Sequence, residues 1–433
     1  MAGDVAVVMI AAPPVNALNA ALRAQLWDIF QQIAHDPQVR AVVLLAKGRI
    51  FSAGEDICEF GQQPLAPTLS QICNLVEVSK VPVIVGLHGA ALGGGVELAM
   101  AAHYRIASPA AVIGLPEMTL GLVPGAGGTQ RLPRLIGAKH ALNMILGGRP
   151  ITADFALQIG LLDAVTDGDL ADSALAMAQK TSRPRPTYAQ RNNLRDGVAF
   201  LDEIAARRNA VAATGRFASQ RALECVEAAL LLPFYTGLAF EADAFARCVT
   251  HPQSQALRHV FLAERRIAPR LLARTDDGWR LAEPLGVAAV DALQRAARRA
   301  IVALRERGVT EGAIDRAHVD DGFRRGPFGG RDGHAGPQGP DIQRRMLAAL
   351  VAEGTRLLAA GIVARASDID VLAVHGLGYP RARGGPMTAA KLAGLLVLAE
   401  EMKQWAADDP VWQPPPLLLR AGLLAGGFDA LSD

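Results

Sequence analysis

The sequence has little of what marks several common protein classes. Its 433 residues include only four cysteines (Cys58, Cys73, Cys225 and Cys248), and no pair of them has C-x-x-C spacing. This predicts reduced, buried thiols and argues against a disulfide framework or a zinc site. The 44 basic and 42 acidic residues leave a net charge of +2, so no charge field calls for nucleic acid. No uncharged stretch is long enough to span a bilayer.

Recognisable targeting signals are also missing. Met1 to Ile10 has no basic segment before its apolar residues, and the last three residues, Leu-Ser-Asp433, are not a peroxisomal Ser-Lys-Leu signal. We therefore expect a cytoplasmic protein. Half of the residues are hydrophobic, and the length predicts two to four domains with substantial cores.

Glycine-rich segments, in contrast, are prominent, and two of them carry a glutamate. Glu97 follows Gly93-Gly-Gly95, and Glu117 precedes a second glycine-rich stretch that runs to Gln130. Two carboxylates on separate segments suit acid and base work on one water molecule, which indicates an enzyme. The alternative is that Glu97 complements a helix dipole and Glu117 is a turn residue.

The glycines also predict a site for an oxyanion. The apolar run Val96 to Ala102 predicts a buried helix whose first turn offers unpaired N–H groups. The small-residue turn Phe51 to Ile57, after the predicted strand Ala41 to Ala46, would supply a second donor. Two converging N–H groups can stabilise an enolate oxygen.

Four motifs together resemble the crotonase family of enoyl-CoA hydratases and isomerases. They are Pro13-Pro-Val-Asn-Ala-Leu18, Phe51 to Ile57, His88 to Met100 and Pro116 to Arg131. The resemblance implies an α/β fold, a spiral of ββα units. The apolar strand candidates Val5 to Ile10, Ala41 to Ala46 and Val81 to Leu87, which alternate with helical patterns such as Ala20 to His35, agree with such a fold. It also implies an oxyanion hole made by the N–H groups of Ala53 and Gly94, catalytic roles for Glu97 and Glu117, and substrate contacts at Ala17, Leu18 and Ile57.

Because both glutamates are present, the resemblance favours hydration of a trans-2-enoyl-CoA to 3-hydroxyacyl-CoA, with 3-enoyl to 2-enoyl isomerisation as a secondary activity. A dedicated isomerase is an alternative. The sequence departs from the family at Glu55, where hydratases usually have a small residue. Glu55 could raise the pKa of the catalytic pair by repulsion, point to solvent, or indicate another chemistry such as hydrolysis.

The C-terminal half contains the segments Arg365 to Asp370, Gly376 to Pro380 and Arg383 to Met387, and a more degenerate set at Gly312 to Asp315 and Gly326 to Phe328. These segments resemble the helical domains of 3-hydroxyacyl-CoA dehydrogenases in multifunctional fatty-acid oxidation enzymes. No strand followed by Gly-x-Gly-x-x-Gly is found, and Gly125, Gly127 and Gly128 do not fit that fingerprint. We predict a crotonase core (1–182), a helical extension with a closing helix (183–270), a degenerate dehydrogenase-like domain (281–336) and a second, all-α copy (337–433). Arg183-Pro-Arg-Pro186 is expected to be a linker. After residue 270 the chain is expected to pass through the short polar stretch Thr275-Asp-Asp-Gly278 directly into helices.

These assignments imply that CoA enters only as part of the acyl-CoA substrate. No cofactor, NAD or metal is expected, and dehydrogenation is predicted to be absent. The extra helical domains favour a monomer. They also leave open a CoA-ester-binding scaffold, which would hold a partner dehydrogenase or thiolase.

Overall fold

Two small sheets organise the N-terminal part of the computed structural model, which describes residues 2–330 and 336–431. The main sheet has the order β1-β2-β3-β5-β8 and is parallel throughout; a second sheet has the order β4-β6-β7. The strands are β1 (Val5–Ile10), β2 (Ala41–Ala46), β3 (Val83–Leu87), β4 (Ala90–Leu92), β5 (Tyr104–Ala107), β6 (Val112–Gly114), β7 (Ile151–Thr152) and β8 (Ala164–Val165).

Helices alternate with these strands and then continue without them. They are α1 (Ala20–His35), α2 (Leu69–Glu77), α3 (Gly94–Ala101), α4 (Gly128–Gly147), α5 (Ala153–Gln158), α6 (Leu170–Lys180), α7 (Gly197–Ala213), α8 (Phe217–Leu231) and α9 (Phe234–Thr250). Strand β3 is buried at every position, as expected for a parallel strand covered on both faces. The expected α/β architecture is confirmed.

The chain divides into two units, Met1–His251 and Pro252–Asp433. The division falls inside the segment 183–270, because α8 packs closely against α4 of the first unit, whereas the helix Pro252–Glu264 packs against the helix Ala366–Gly376 of the second. The predicted linker at Arg183–Pro186 therefore lies within the first unit. The finer division into four domains remains a prediction.

The second unit is mainly helical. Its helices are α10 (Pro252–Glu264), α11 (Leu285–Glu306), α12 (Glu311–Asp320), α13 (Gly339–Ala359), α14 (Ala366–Gly376), α15 (Pro386–Ala393), α16 (Leu395–Trp405) and α17 (Pro416–Gly422). The expectation of an immediate passage into helices after residue 270 is wrong. Strands β9 (Leu272–Thr275) and β10 (Gly278–Leu281) form an antiparallel hairpin there, and the polar stretch is its turn. Among the described helices, none combines the length and apolar character that crossing a bilayer requires.

The second unit contains the same local arrangement twice. In the first copy, Asp315 of α12 accepts the N–H of Phe328 at 2.8 Å; in the second, Asp370 of α14 accepts the N–H of Met387 at 2.7 Å. In each copy the accepting aspartate is followed, ten or more residues later, by a Gly-Pro pair that precedes the donor. This agrees with two related helical copies. Residues 331–335 and 432–433 of the predicted domains lie outside the described residues.

Candidate active site

The N-terminus of α3 lies beside the turn that begins at Phe51. The N–H of Ser52 donates to the carbonyl of Ala90, and the N–H of Leu92 donates to the carbonyl of Ser52, so this turn runs alongside β4 and reaches the start of α3. A Cβ placed on Gly94 would lie 3.3 Å from the backbone nitrogen of Glu55. The two segments therefore meet at Glu55 and Gly94.

The prediction that Ala53 supplies an oxyanion donor is wrong. Its N–H donates to the carbonyl of Val15 at 2.9 Å, and the next N–H, that of Gly54, donates to Oγ of Ser52 at 3.0 Å. The next N–H group along the chain, that of Glu55, has no acceptor among the described residues. The N–H of Gly94 likewise has none there, so the pair of free donors is Glu55 and Gly94.

Glu117 sits on a short 3-10 turn, Pro116–Leu120, and reaches the same place. A Cβ on Gly93 would lie 3.0 Å from its Oε1, and Gly93 has a φ of 52°, so a side chain at that position would be both strained and crowded. Oε2 of Glu117 is buried and has no hydrogen-bond partner. Burial, and then the negative charge of Glu97, raise the pKa of Glu117 well above its usual value.

Glu97, on α3, is 1% exposed and is held by backbone donors. Its Oε1 accepts the N–H groups of Ala126 and Gly128 at 2.7 and 2.8 Å, from the loop that leads into α4. Burial raises the pKa of Glu97, and these two hydrogen bonds counteract the rise. The two glutamates thus have different surroundings: Glu97 receives donors that favour its anion, and Glu117 Oε2 receives none.

Glu55 is a third carboxyl group in this region. Its Cγ lies 3.3 Å from the position of a Cβ on Gly94. Burial, and then repulsion by Glu97, raise its pKa to about 7. Of the sequence-based alternatives for Glu55, interaction with Glu97 is thus favoured over a solvated side chain.

A cavity of about 460 Å³ opens from Glu55 and the loop glycine Gly125. Its apolar wall comes from α2 and α9 and from the residues after the turn: Phe60, Leu65, Leu69, Phe245 and Val249. None of the predicted substrate contacts Ala17, Leu18 and Ile57 lines this cavity. Leu18 is fully buried and its N–H donates to the carbonyl of Gly54, so its place is to support the turn. The roles of Ala17 and Ile57, both half-buried, remain predictions.

Glu241, on α9, was missed by sequence reasoning. It is 1% exposed and accepts the N–H groups of Gly127 and Thr129 from the loop that also binds Glu97. The only signal in the sequence is the spacing Gly237-x-x-x-Glu241-x-x-x-Phe245, which places all three on one helix face. Within residues 2–330 and 336–431, no group of three acidic, histidine or cysteine side chains is arranged to hold a metal ion.

The chain is similar in sequence to several known proteins. The peroxisomal bifunctional enzyme of Danio rerio is 36% identical over 72% of this chain and 44% of that protein. The peroxisomal fatty acid beta-oxidation multifunctional protein AIM1 of Arabidopsis thaliana is 37% identical over 60% of this chain and 38% of that protein. A solved enoyl-CoA hydratase from Bacillus anthracis is 30% identical, covers 60% of this chain and 93% of its own, and has a TM-score of 0.38.

The chain spans less than half the length of these curated multifunctional relatives. Residues 1–255, more than half of the chain, match the family described as enoyl-CoA hydratase/isomerase. The chain belongs to the enoyl-CoA hydratase/isomerase family.

Proposed function

We propose that the chain is an enoyl-CoA hydratase that adds water across the 2,3 double bond of a trans-2-enoyl-CoA to give a 3-hydroxyacyl-CoA. One observation carries this proposal. Glu97 is buried and accepts two backbone N–H groups, whereas Glu117, which lies beside Gly93 next to the free N–H of Gly94, has a buried oxygen without a partner. Titratable groups whose surroundings separate their protonation states are suited to serve as a base and an acid.

In this mechanism the thioester oxygen accepts hydrogen bonds from Glu55 N–H and Gly94 N–H. These bonds stabilise the negative charge that develops on the oxygen when the enolate forms, and losing one such donor typically costs about 3 kcal/mol of barrier. Because both are backbone groups, they are already oriented before the substrate arrives.

The two glutamates then act as base and acid in the addition of water. Glu97, ionised, takes a proton from the water as the oxygen bonds to C3, and Glu117, protonated, gives a proton to C2. The substrate gains one hydroxyl group and one proton. Transfer of the proton from Glu97 back to Glu117 restores both groups for the next turnover.

The direct test is loss of the ultraviolet absorbance of the crotonyl-CoA double bond after the purified protein is added, with and without NAD. We expect loss in both cases and no reduction of NAD, because no dehydrogenase activity and no cofactor are proposed. Absence of any loss over a range of acyl-chain lengths would remove the hydratase proposal.

Isomerisation of 3-enoyl-CoA to 2-enoyl-CoA is a second candidate activity, favoured by the unbonded Oε2 of Glu117. An enolate site and one base near C2 suffice for this reaction. The Glu97→Gln variant separates the two: hydration should be lost while isomerisation persists. Loss of both activities to the same extent would argue against an isomerase that uses Glu117 alone.

The location, oligomeric state and partners of the chain are further proposals. A cytoplasmic monomer is our expectation, while the relatives named above are peroxisomal proteins. Fractionation of cells that express the chain, and light scattering of the purified protein, test these two points. The same scattering measurement with a candidate dehydrogenase or thiolase added tests a scaffold role for the helical second unit.

A further inference from the structure

The loop that leads into α4 is shared between two carboxylates. Four consecutive N–H groups, those of Ala126–Thr129, alternate between them. The first and third donate to Glu97 at 2.7 and 2.8 Å, and the second and fourth donate to Glu241 at 2.5 and 2.7 Å. Because neighbouring peptide groups point to opposite sides, neither carboxylate can shift the loop without moving the donors of the other.

Helix α9 is shaped to bring Glu241 to this loop. One turn before it, Gly237 lies so close to α4 that a Cβ there would be 2.2 Å from Oε1 of Gln130. One turn after it, the ring of Phe245 lies 2.7 Å from the position of a Cβ on Gly125. Three residues at four-residue spacing therefore dock one face of α9 onto both ends of the loop.

Glu241 is buried and fully hydrogen-bonded to the loop. Its Oε2 also accepts the hydroxyl of Thr129 at 2.5 Å. Burial, and then the charge of Glu97, raise its pKa to about 8. Other titratable groups that interact with it electrostatically are Glu117, Arg131 of α4 and Cys225 of α8.

A carboxylate at a helix N-terminus often only caps that helix. Capping alone would be satisfied by any donors of the first turn. Here every backbone N–H group that donates to Glu241 is next in sequence to one that donates to Glu97. Glu97 is the residue to which the proposed function gives the role of base.

We infer that Glu241 is a positioning residue of the active site, which fixes the loop so that its alternate N–H groups orient the carboxylate of Glu97. The inference rests on the proposed function for the role of Glu97. It makes α9, which lies beyond the predicted crotonase core of residues 1–182, a part of the catalytic apparatus.

The test is the Glu241→Gln variant. Its amide places an NH₂ where one loop N–H needs an acceptor, so the loop loses a bond while the side-chain shape is kept. We expect kcat for crotonyl-CoA to fall about 10- to 100-fold, as large a loss as is typical when a residue that orients a metal ligand is removed. The KM should stay within about threefold, because Glu241 does not line the substrate cavity.

The pH dependence of kcat distinguishes positioning from a simple charge effect. The loop hydrogen bonds lower the pKa of Glu97, so loosening them should move the acid limb of the profile to higher pH. Removal of a negative charge alone would move that limb to lower pH. An unchanged kcat, or a limb that moves to lower pH, would overturn the inference.

Matched variants complete the experiment. Asp243→Asn removes an exposed carboxylate from the same helix and should change neither kcat nor the profile. If Glu241→Gln does not fold, the variants Thr129→Val and Thr129→Ser test the positioning role instead. Loss of the hydroxyl should lower kcat and shift the limb in the same direction, Ser should restore both, and equal behaviour of the two variants would count against the inference.

A separate readout keeps this inference apart from the hydratase proposal. In protein with ¹³C-labelled glutamate carboxyl groups, the Glu97 signal is assigned with Glu97→Gln, and its titration midpoint should move to higher pH in Glu241→Gln without any substrate. Inactive wild-type protein would sink the hydratase proposal alone. An unmoved midpoint would sink the positioning role alone.

Discussion

Asp370 of the second unit and Glu117 of the first show two opposite uses of a buried carboxylate oxygen. In the second unit, Asp370 is 1% exposed and its oxygens accept hydrogen bonds from Met387 N–H, from Thr388 N–H and hydroxyl, and from His259. In the first unit, Glu117 keeps one buried oxygen without any partner. The Asp370 side chain and Oε2 of Glu117 are both buried, but only the aspartate is satisfied.

Under the proposed function, this difference separates the structural role of Asp370 from the chemical role of Glu117 more clearly than burial does. A satisfied carboxylate joins segments of backbone and stabilises the fold. An unsatisfied one raises the free energy of its own anion and remains available for a proton or a ligand. The free N–H groups of Glu55 and Gly94 lie in the same unit as Glu117. Incomplete hydrogen bonding is not confined to that unit, because Oδ1 of Asp368 in the second unit is also buried without a partner.

The comparison is tested most severely by Glu117→Gln. Because the amide cannot donate the proton to C2 as an acid, we expect kcat for enoyl-CoA hydration to fall about 10²- to 10⁴-fold. Binding of a non-reactive acyl-CoA, measured by calorimetry, should change little, and so should the thermal midpoint. Turnover equal to that of the wild type would place Glu117 among the structural carboxylates.

The opposite outcome is expected for Asp370→Ala. Several donors would lose a buried acceptor, so the free energy of unfolding of the second unit should fall by about 4 kcal/mol. Denaturant unfolding measures this, and crotonyl-CoA turnover of the folded protein should stay at the wild-type level. Asp429→Ala, which removes an exposed aspartate paired with Lys391, is the control with little expected change.

Acid should weaken the second unit through Glu264. Although burial opposes ionisation, hydrogen bonds from His375 and Arg381 hold the pKa of Glu264 at about 2, below the usual 4.5. A lowered pKa adds stability that is present above pH 4.5 and is lost as the pH falls towards 2, about 3 kcal/mol in all. The free energy of unfolding should depend less on pH between 4.5 and 2 in Glu264→Gln than in the wild type. The same pH dependence in both proteins would show that Glu264 does not contribute.

Glu55 should give the first unit the reverse dependence, with a smaller amplitude. Its pKa is raised from 4.5 to about 7, so the protonated form is favoured by folding. That stability is present below pH 4.5 and is lost as the pH rises through 7, which we place at about 2 kcal/mol because the side chain is partly accessible. Glu55→Gln should therefore stabilise the protein at pH 8 and not at pH 4. The exposed Asp4→Asn serves as the control.

Local pattern was sufficient for much of the fold. The helix Ala20–His35 and the strands Val5–Ile10 and Ala41–Ala46 have the bounds that the sequence predicted. Their apolar periodicity and the Asn19 cap are contained in a few neighbouring residues. The hairpin at Leu272–Leu281 was missed, because its two strands are short and only half-buried and thus lack a clear alternating pattern.

The sequence predicted those parts of the candidate site that depend on residue type and on short motifs. Glu97, Glu117 and the N–H of Gly94 follow from glycine-rich motifs of the family. Ala53 was chosen wrongly, because nothing near it in the chain shows that the carbonyl of Val15 takes its N–H. Glu241 lies more than 100 residues beyond the loop that it binds, so its role could not be inferred from the motif.

By itself the sequence determined the kind of protein this is: an α/β family member with two acidic groups on glycine-rich backbone, followed by helices. These properties depend on residue type and short spacing, which every segment carries with it. Only the tertiary structure decided which N–H groups stay free, which carboxylates are satisfied, and that α9 reaches the loop before α4. Those are outcomes of competition for hydrogen bonds between distant segments, and such competition is resolved only when the segments pack together.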